Sequence, residues 1–251
     1  MRNLWRAAWG SMVAFAAAAC GAGTTEETVY AAPDGAATGD LVFAPGEFGE
    51  AAAFAGVLDK LADKGWRVLV EERSGDALMR ALAARRNEER CVVLAGFGDA
   101  AAPAIDAAVA HRKAGIDGIV TIAGLMREDV DYKHERIAGA TISAEFDPIV
   151  TPLMIQGQAI EFPPLSEFLT IRGGNRAGFV TTVDAVEGDG ESTLEPGQQE
   201  LITANLIHNL LTKWCSSFNE PAVTPLRPDD NDAASTDGRG RDAGDDESDA
   251  D

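Results

Sequence analysis

The chain has 251 residues, 45% of them hydrophobic, which is enough for one sizeable domain with appendages. A formal net charge of −20, with 41 acidic against 21 basic residues, excludes nucleic acid and an anionic membrane surface as electrostatic partners. Three histidines without metal-ligand spacing among themselves give no metal site, and no cofactor is expected.

The chain opens with Arg2 and Arg6 ahead of small apolar residues from Met12 to Ala19. This is the pattern of an export signal, too short to span a membrane as a helix. Ala17-Ala18-Ala19-Cys20-Gly21 resembles a bacterial lipobox, although Ala17 stands where leucine is usual. The resemblance implies that residues 1–20 are a lipoprotein signal peptide, that Cys20 is lipidated, and that the chain is held at a cell envelope. The alternative is an ordinary signal peptide cut nearby. Residues 21–40, rich in Gly, Ala, Thr and acids, read as a flexible tether.

Short β-rich runs then alternate with helical patterns across residues 41–220, the signature of a parallel sheet with crossover helices. Leu41–Ala44 is a strand stopped by Pro45-Gly46, and Ala51–Lys64 a helix with Phe54, Val57, Leu58 and Leu61 on one face. Arg67–Val70 is the next strand, followed by a helix over Asp76–Arg86. Cys91–Ala95 and Gly118–Ile122 are continuous apolar runs, as expected of central strands covered on both faces, with a helix over Ala100–Lys113 between them. Ala140–Ser143 and Phe168–Ile171 are the last strands, and Gln198–Trp214 is a closing helix. The expected fold is α/β, a doubly wound, mostly parallel six-stranded sheet whose ligand sites lie beyond the carboxyl ends of the strands. That alternation puts Cys91 and Cys215 at the same end of the sheet, where they either form a disulfide or remain separate buried thiols. From Arg227 to Asp251 there are ten acids and three arginines with almost no apolar residues, so residues 221–251 read as a disordered acidic tail. Asp229-Asp230-Asn231-Asp232 offers oxygen ligands but lacks the glycine and distal glutamate of a calcium loop, so a solvated tail is the better reading.

The loop after the third strand is Gly96-Phe97-Gly98-Asp99-Ala100-Ala101. Gly96-x-Gly98-x-x-Ala101 fits a dinucleotide fingerprint, but the next strand ends Thr121-Ile122-Ala123-Gly124 without an acid for a ribose, and the loop does not follow the first strand. The other reading is a nucleophile elbow whose central serine is lost.

Four loops taken together resemble the compact α/β-hydrolases of the dienelactone-hydrolase-like group, without a large cap domain, from Leu41 to about Trp214. Leu41-Val42-Phe43-Ala44-Pro45-Gly46 is similar to their first core strand and oxyanion loop, and Val93–Ala101 to their strand and elbow. Ser143-Ala144-Glu145-Phe146-Asp147-Pro148-Ile149-Val150-Thr151-Pro152 resembles the acid loop with a helix start after it. Arg172-Gly173-Gly174-Asn175-Arg176-Ala177-Gly178-Phe179 resembles the histidine loop, and Gly188-Asp189-Gly190 and Gln198-Gln199 recur in the family too. The resemblance implies an oxyanion loop at Gly46, a nucleophile position at Gly98, an acid at Asp147 and a histidine position at Arg176. Glycine has no side chain to attack a carbonyl, and arginine stays protonated and cannot act as a base. Asp147 alone matches its type, and an orienting acid by itself does nothing. Arg176 and Asp147 are expected to form an ion pair across the degenerate triad.

The expectation is therefore a non-catalytic envelope protein that binds a small molecule or a protein partner through the loops around Gly46, Gly98, Asp147 and Arg176. The alternative is a carboxylic-ester hydrolase with a displaced catalytic set, using Asp99 or Ser143. His111 at a helix end, His134 in a charged loop and His208 within the closing helix read as solvated or packed histidines. A third reading, a purely structural envelope protein, predicts no pocket at the strand ends.

Overall fold

The computed structural model describes residues 28–31, 37–71, 75–181 and 186–216. The signal segment with Cys20, most of the expected tether and the acidic tail lie outside the described residues. Seven strands form one sheet: β1 (Val29–Tyr30), β2 (Gly39–Ala44), β3 (Trp66–Val70), β4 (Cys91–Phe97), β5 (Gly118–Ile122), β6 (Ala138–Ala144) and β7 (Leu165–Ile171). Their order is β1-β3-β2-β4-β5-β6-β7, and every neighbouring pair is parallel except β1 with β3.

Six of these strands are the six expected: β5 has the expected bounds, and the other five are each extended by a residue or more. The seventh, β1, falls inside the segment read as a tether. It pairs Val29 with Leu69 and Tyr30 with Val68, closing the edge of β3 by backbone hydrogen bonds that leave no periodic trace in a two-residue strand.

Among the described residues five α-helices are present: α1 (Ala55–Asp63), α2 (Asp76–Glu88), α3 (Ala101–His111), α4 (Pro152–Gln158) and α5 (Gln198–Trp214). Side chains alternate across the sheet, so Leu41, Phe43, Val93 and Phe97 join one buried cluster with α1 and α5, while Val42, Val92 and Leu94 join a second with α2 and α3. All seven residues of β4 are buried, because both faces of the central strand are covered. Between β5 and β6 the buried Thr121 hydroxyl donates to Thr141 Oγ1 at 2.9 Å, satisfying both polar groups inside the sheet.

At the amino end of the strands Cys91 and Cys215 are bonded, with Cα atoms 5.5 Å apart. The bond ties the central strand to the end of α5 across 124 residues of chain, a loop whose closure limits the unfolded ensemble by about 5 kcal/mol on the chain-entropy account. Trp214 packs directly over Gly118 nearby, where a Cβ would overlap the indole ring. Asp40 at the same end is buried and takes two hydrogen bonds from Arg67, at 2.8 and 2.7 Å. The opposite, carboxyl ends of β2, β4, β6 and β7 lead into the loops that carry Gly46, Gly98, Asp147 and Arg176.

Candidate functional site

Each loop is held by its own local device. After β2 the chain enters a 3₁₀ turn over Gly46–Phe48 with left-handed glycines at both ends, Gly46 at φ 61° and Gly49 at φ 66°. A Cβ at Gly46 would overlap the Phe97 carbonyl, so glycine is required where this turn meets the end of β4. After β4, Gly98 takes φ 55°, the sharp strand-to-helix turn of an elbow, and Asp99 follows on the same short 3₁₀ turn. After β6, Asp147 Oδ1 accepts the amides of Ile149 and Val150, both at 2.9 Å, which fixes the carboxylate and leaves Oδ2 to face inward. After β7, the Asp189 carboxylate accepts the Arg176 amide at 3.0 Å and the Ala177 amide at 2.8 Å, pinning the loop that carries Arg176.

These devices bring Gly46, Gly98, Asp147 and Arg176 to one place, as the motifs imply. The expected ion pair is present: Arg176 Nη1 donates to Asp147 Oδ2 at 2.9 Å, with side-chain exposures of 3% and 0%. Nη1 also donates to the Ala123 carbonyl at 3.1 Å. Ala123 adopts φ 47°, a left-handed conformation costly for a non-glycine residue, at the end of β5. The Phe97 ring lies beneath the guanidinium, 5.1 Å from centroid to Cζ.

A third charged partner, Glu47, is not among the residues the motifs single out. Arg176 Nε donates to Glu47 Oε1 at 3.1 Å, and Nη2 makes a further short contact to the same oxygen. Glu47 Oε2 accepts the backbone amide of Asp99 at 3.1 Å. That amide follows the nucleophile position, and in an elbow it is the one aimed at an oxyanion. A Cβ at Gly98 would overlap Glu47 Oε2, so the carboxylate fills the space a nucleophile's side chain would need. Burial, the largest influence on Glu47, opposes its charge, but the hydrogen bonds from Arg176 and the Asp99 amide outweigh it and hold the carboxyl below its ordinary range. The only cue in the sequence was position, since Glu47 directly follows the oxyanion-loop glycine and a buried arginine needs more than one acceptor.

The two rescue candidates fail on placement. Ser143 is buried within β6, its hydroxyl 3.0 Å from Thr170 Oγ1 and 3.3 Å from the Leu169 carbonyl, so its hydroxyl serves the sheet. Asp99 is exposed and contributes its backbone amide to the site while its carboxylate makes no bond to Arg176 among the described residues. His208 accepts the Trp66 indole N–H at 3.0 Å, and Trp66 starts β3 at the far end of the sheet. Burial first, then Lys64, depresses its pKa. His111 is partly exposed at the end of α3 and His134 is exposed. No group of His, Cys, Asp and Glu among the described residues could hold a metal ion. Near the same strand ends but on the α2–α3 face, a cavity of about 210 Å³ is lined by Val42, Leu78, Leu94 and Ala104. Its one carboxylate, Glu71, is occupied by the amides of Gly75 and Ala77.

The site has one cation and two anions in contact, and the two positions matched to a nucleophile and a histidine hold Gly98 and Arg176. What it can do is hold an anion: a rigid guanidinium fork and a backbone amide converge on one carboxylate.

Comparison with known proteins agrees with this fold. A family model described as the alpha/beta hydrolase family matches residues 40–200. No curated protein matches the chain. Among solved structures, the esterase domain of a Rhodothermus marinus protein aligns with a TM-score of 0.52 at 10% identity, covering 76% of this chain and 98% of that one. A soluble variant of monoglyceride lipase from Saccharomyces cerevisiae aligns with a TM-score of 0.54 at 10% identity, covering 76% and 91%. The thermophilic esterase Est2 from Thermogutta terrifontis gives 0.51 at 13% identity, covering 74% and 86%. At such identities these structures show the fold alone. With the sheet order, the elbow at Gly98 and the match over residues 40–200, the chain belongs to the α/β-hydrolase family.

Proposed function

We propose that this chain is a non-catalytic member of the family, held at a cell envelope through a lipid on Cys20, and that its former active site binds instead of cleaving. One observation carries the reading: the Glu47 carboxylate, locked by Arg176 and the Asp99 amide, sits where the attacking side chain would be. Ester hydrolysis needs a group that attacks the carbonyl and a base that takes its proton. Gly98 has no side chain to attack with, and the Arg176 guanidinium has no lone pair with which to take a proton and already donates to Asp147 and Glu47. The Cys91–Cys215 bond supports an exported location, because such bonds persist in oxidising compartments.

The test is turnover of short-chain nitrophenyl esters by the purified chain, set against a Gly98→Ala, Asp99→Asn control. The expected result is equal rates for the two proteins. Turnover above the control would overturn the reading and reinstate a displaced catalytic set.

A further inference from the structure

Within the charged cluster the two acids are not equivalent. Asp147 is wholly enclosed and its Oδ1 is tied to two amides of its own loop. Glu47 is the outer member, with a third of its side chain exposed. It stands on a turn of three residues between two left-handed glycines, and beside the second of these, Gly49, the space is open. A side chain so placed can leave by small changes at two permissive residues, without moving any strand. Its departure would uncover Nε and Nη2 of Arg176 together with the Asp99 amide, three donors already aimed at one carboxylate.

The surroundings narrow what could take its place. Phe48, next in the chain, packs against Phe54 and Phe97 and is only partly buried. The acid loop presents Phe146 and Ile149, 37% and 51% exposed, on either side of Asp147 in sequence. The loops that carry the site therefore carry apolar side chains at the surface, while the Arg176 side chain is buried. That combination suits a carboxylate with an apolar tail better than an inorganic anion, which would leave those apolar side chains without a partner.

We propose that the former active site is a receptor for an apolar-tailed monocarboxylate, and that Glu47 is its built-in competitor, which the ligand displaces from Arg176 and the Asp99 amide. This rests on the non-catalytic reading, since a site that cleaves esters would release such an acid as product. The occupied state is the one observed, with Glu47 as an intramolecular carboxylate. A ligand must outcompete it, so apparent affinity equals intrinsic affinity reduced by the fraction of time the turn is open.

The test is calorimetric titration of the full chain with butyrate and with butyramide, its neutral analogue. Removing the competitor in Glu47→Ala is expected to tighten butyrate binding at least tenfold over the unmodified chain and to leave butyramide unchanged. Glu47→Gln, which keeps the side-chain shape but loses the charge that pairs with Arg176, is expected to tighten it several-fold and serves if the alanine variant does not fold. Adding Arg176→Lys to the Glu47 variant keeps a positive charge but removes the fork, and is expected to reverse the gain. Equal butyrate binding by the unmodified chain and both Glu47 variants would overturn the proposal. So would a gain shared by butyramide, or one that survives Arg176→Lys. None of these readouts involves ester turnover, so failure of the receptor and failure of the non-catalytic reading are separately visible.

Discussion

Replacing Arg176 by methionine isolates the energetics of the charged cluster, because methionine fills similar volume without charge. The two acids respond differently. Glu47 is one-third exposed and can rehydrate, so its loss of a partner is cheap. Asp147 has no exposed side-chain surface and would keep only the Ile149 and Val150 amides for a full negative charge. Removing one partner of a buried pair costs about 3–5 kcal/mol, because the orphaned charge stays desolvated. In a domain of this size each kcal/mol moves Tm by about 2–4 °C, so Arg176→Met is expected to lower Tm by about 6–20 °C. Asp147→Asn in the same background removes the orphaned charge and is expected to restore about 1–3 kcal/mol, a coupling typical of side chains in direct contact. Urea and thermal melts of the two single variants and the double complete the cycle. An Arg176→Met loss below about 1 kcal/mol, or strictly additive single variants, would mean that water reaches Asp147 and that the cluster is not buried as described.

Two further outcomes follow from other parts of the molecule. If a lipid on Cys20 holds the chain at a membrane, Cys20→Ala is expected to move it from the membrane fraction to the soluble fraction; unchanged fractionation would remove the anchor. His208 titrates below its ordinary value of 6.5, so its neutral form contributes stability that is fully present above pH 6.5 and is lost as pH falls below it, when protonation of Nδ1 breaks the bond from Trp66. Urea midpoints are therefore expected to fall between pH 7.5 and 5.5 in the unmodified chain and to fall less in His208→Asn, whose side-chain oxygen still accepts the indole N–H. Glu47, whose carboxyl is held below its ordinary 4.5, stays ionised across that window and does not confound it. Identical pH slopes in the two proteins would rule out His208 as the titrating group.

What could be read from sequence, and what could not, divides by range. Continuous apolar strands such as Cys91–Ala95 announce a sheet covered on both faces, and the alternation of strands and helices places Cys91 and Cys215 at one end. Motif order puts Gly98, Asp147 and Arg176 at the other, and opposite charges at adjoining loop positions imply the pair found there. Strand β1 is illegible because two residues carry no period; its existence depends on the open edge of β3. Glu47 is illegible for a related reason. In sequence it is one acid in a polar turn, and its meaning appears only when a guanidinium 129 residues away arrives beside it. Asp189 likewise reads as a turn residue between two glycines until its oxygens are seen on the amides of Arg176 and Ala177.

Stability alone is a poor account of the cluster. Desolvating an arginine and two carboxylates costs about as much as their attraction returns, and well-packed apolar residues of similar volume commonly do as well or better. The surroundings would accept them: Phe97 lies under the guanidinium and Phe48 beside Phe97, both within an aromatic group that continues to Phe54 and Phe179. Nor does the elbow demand a charge, because Gly98 at φ 55° has already relieved the strain a side chain would bear there. The arrangement makes more sense as a device for keeping a cation ready near the surface. Asp147 lowers the cost of burying Arg176 from within, and Glu47 covers it from without while remaining able to swing away. On that reasoning the inner acid governs folding and the outer acid governs access, so substitutions at Asp147 should register in melts and substitutions at Glu47 in titrations.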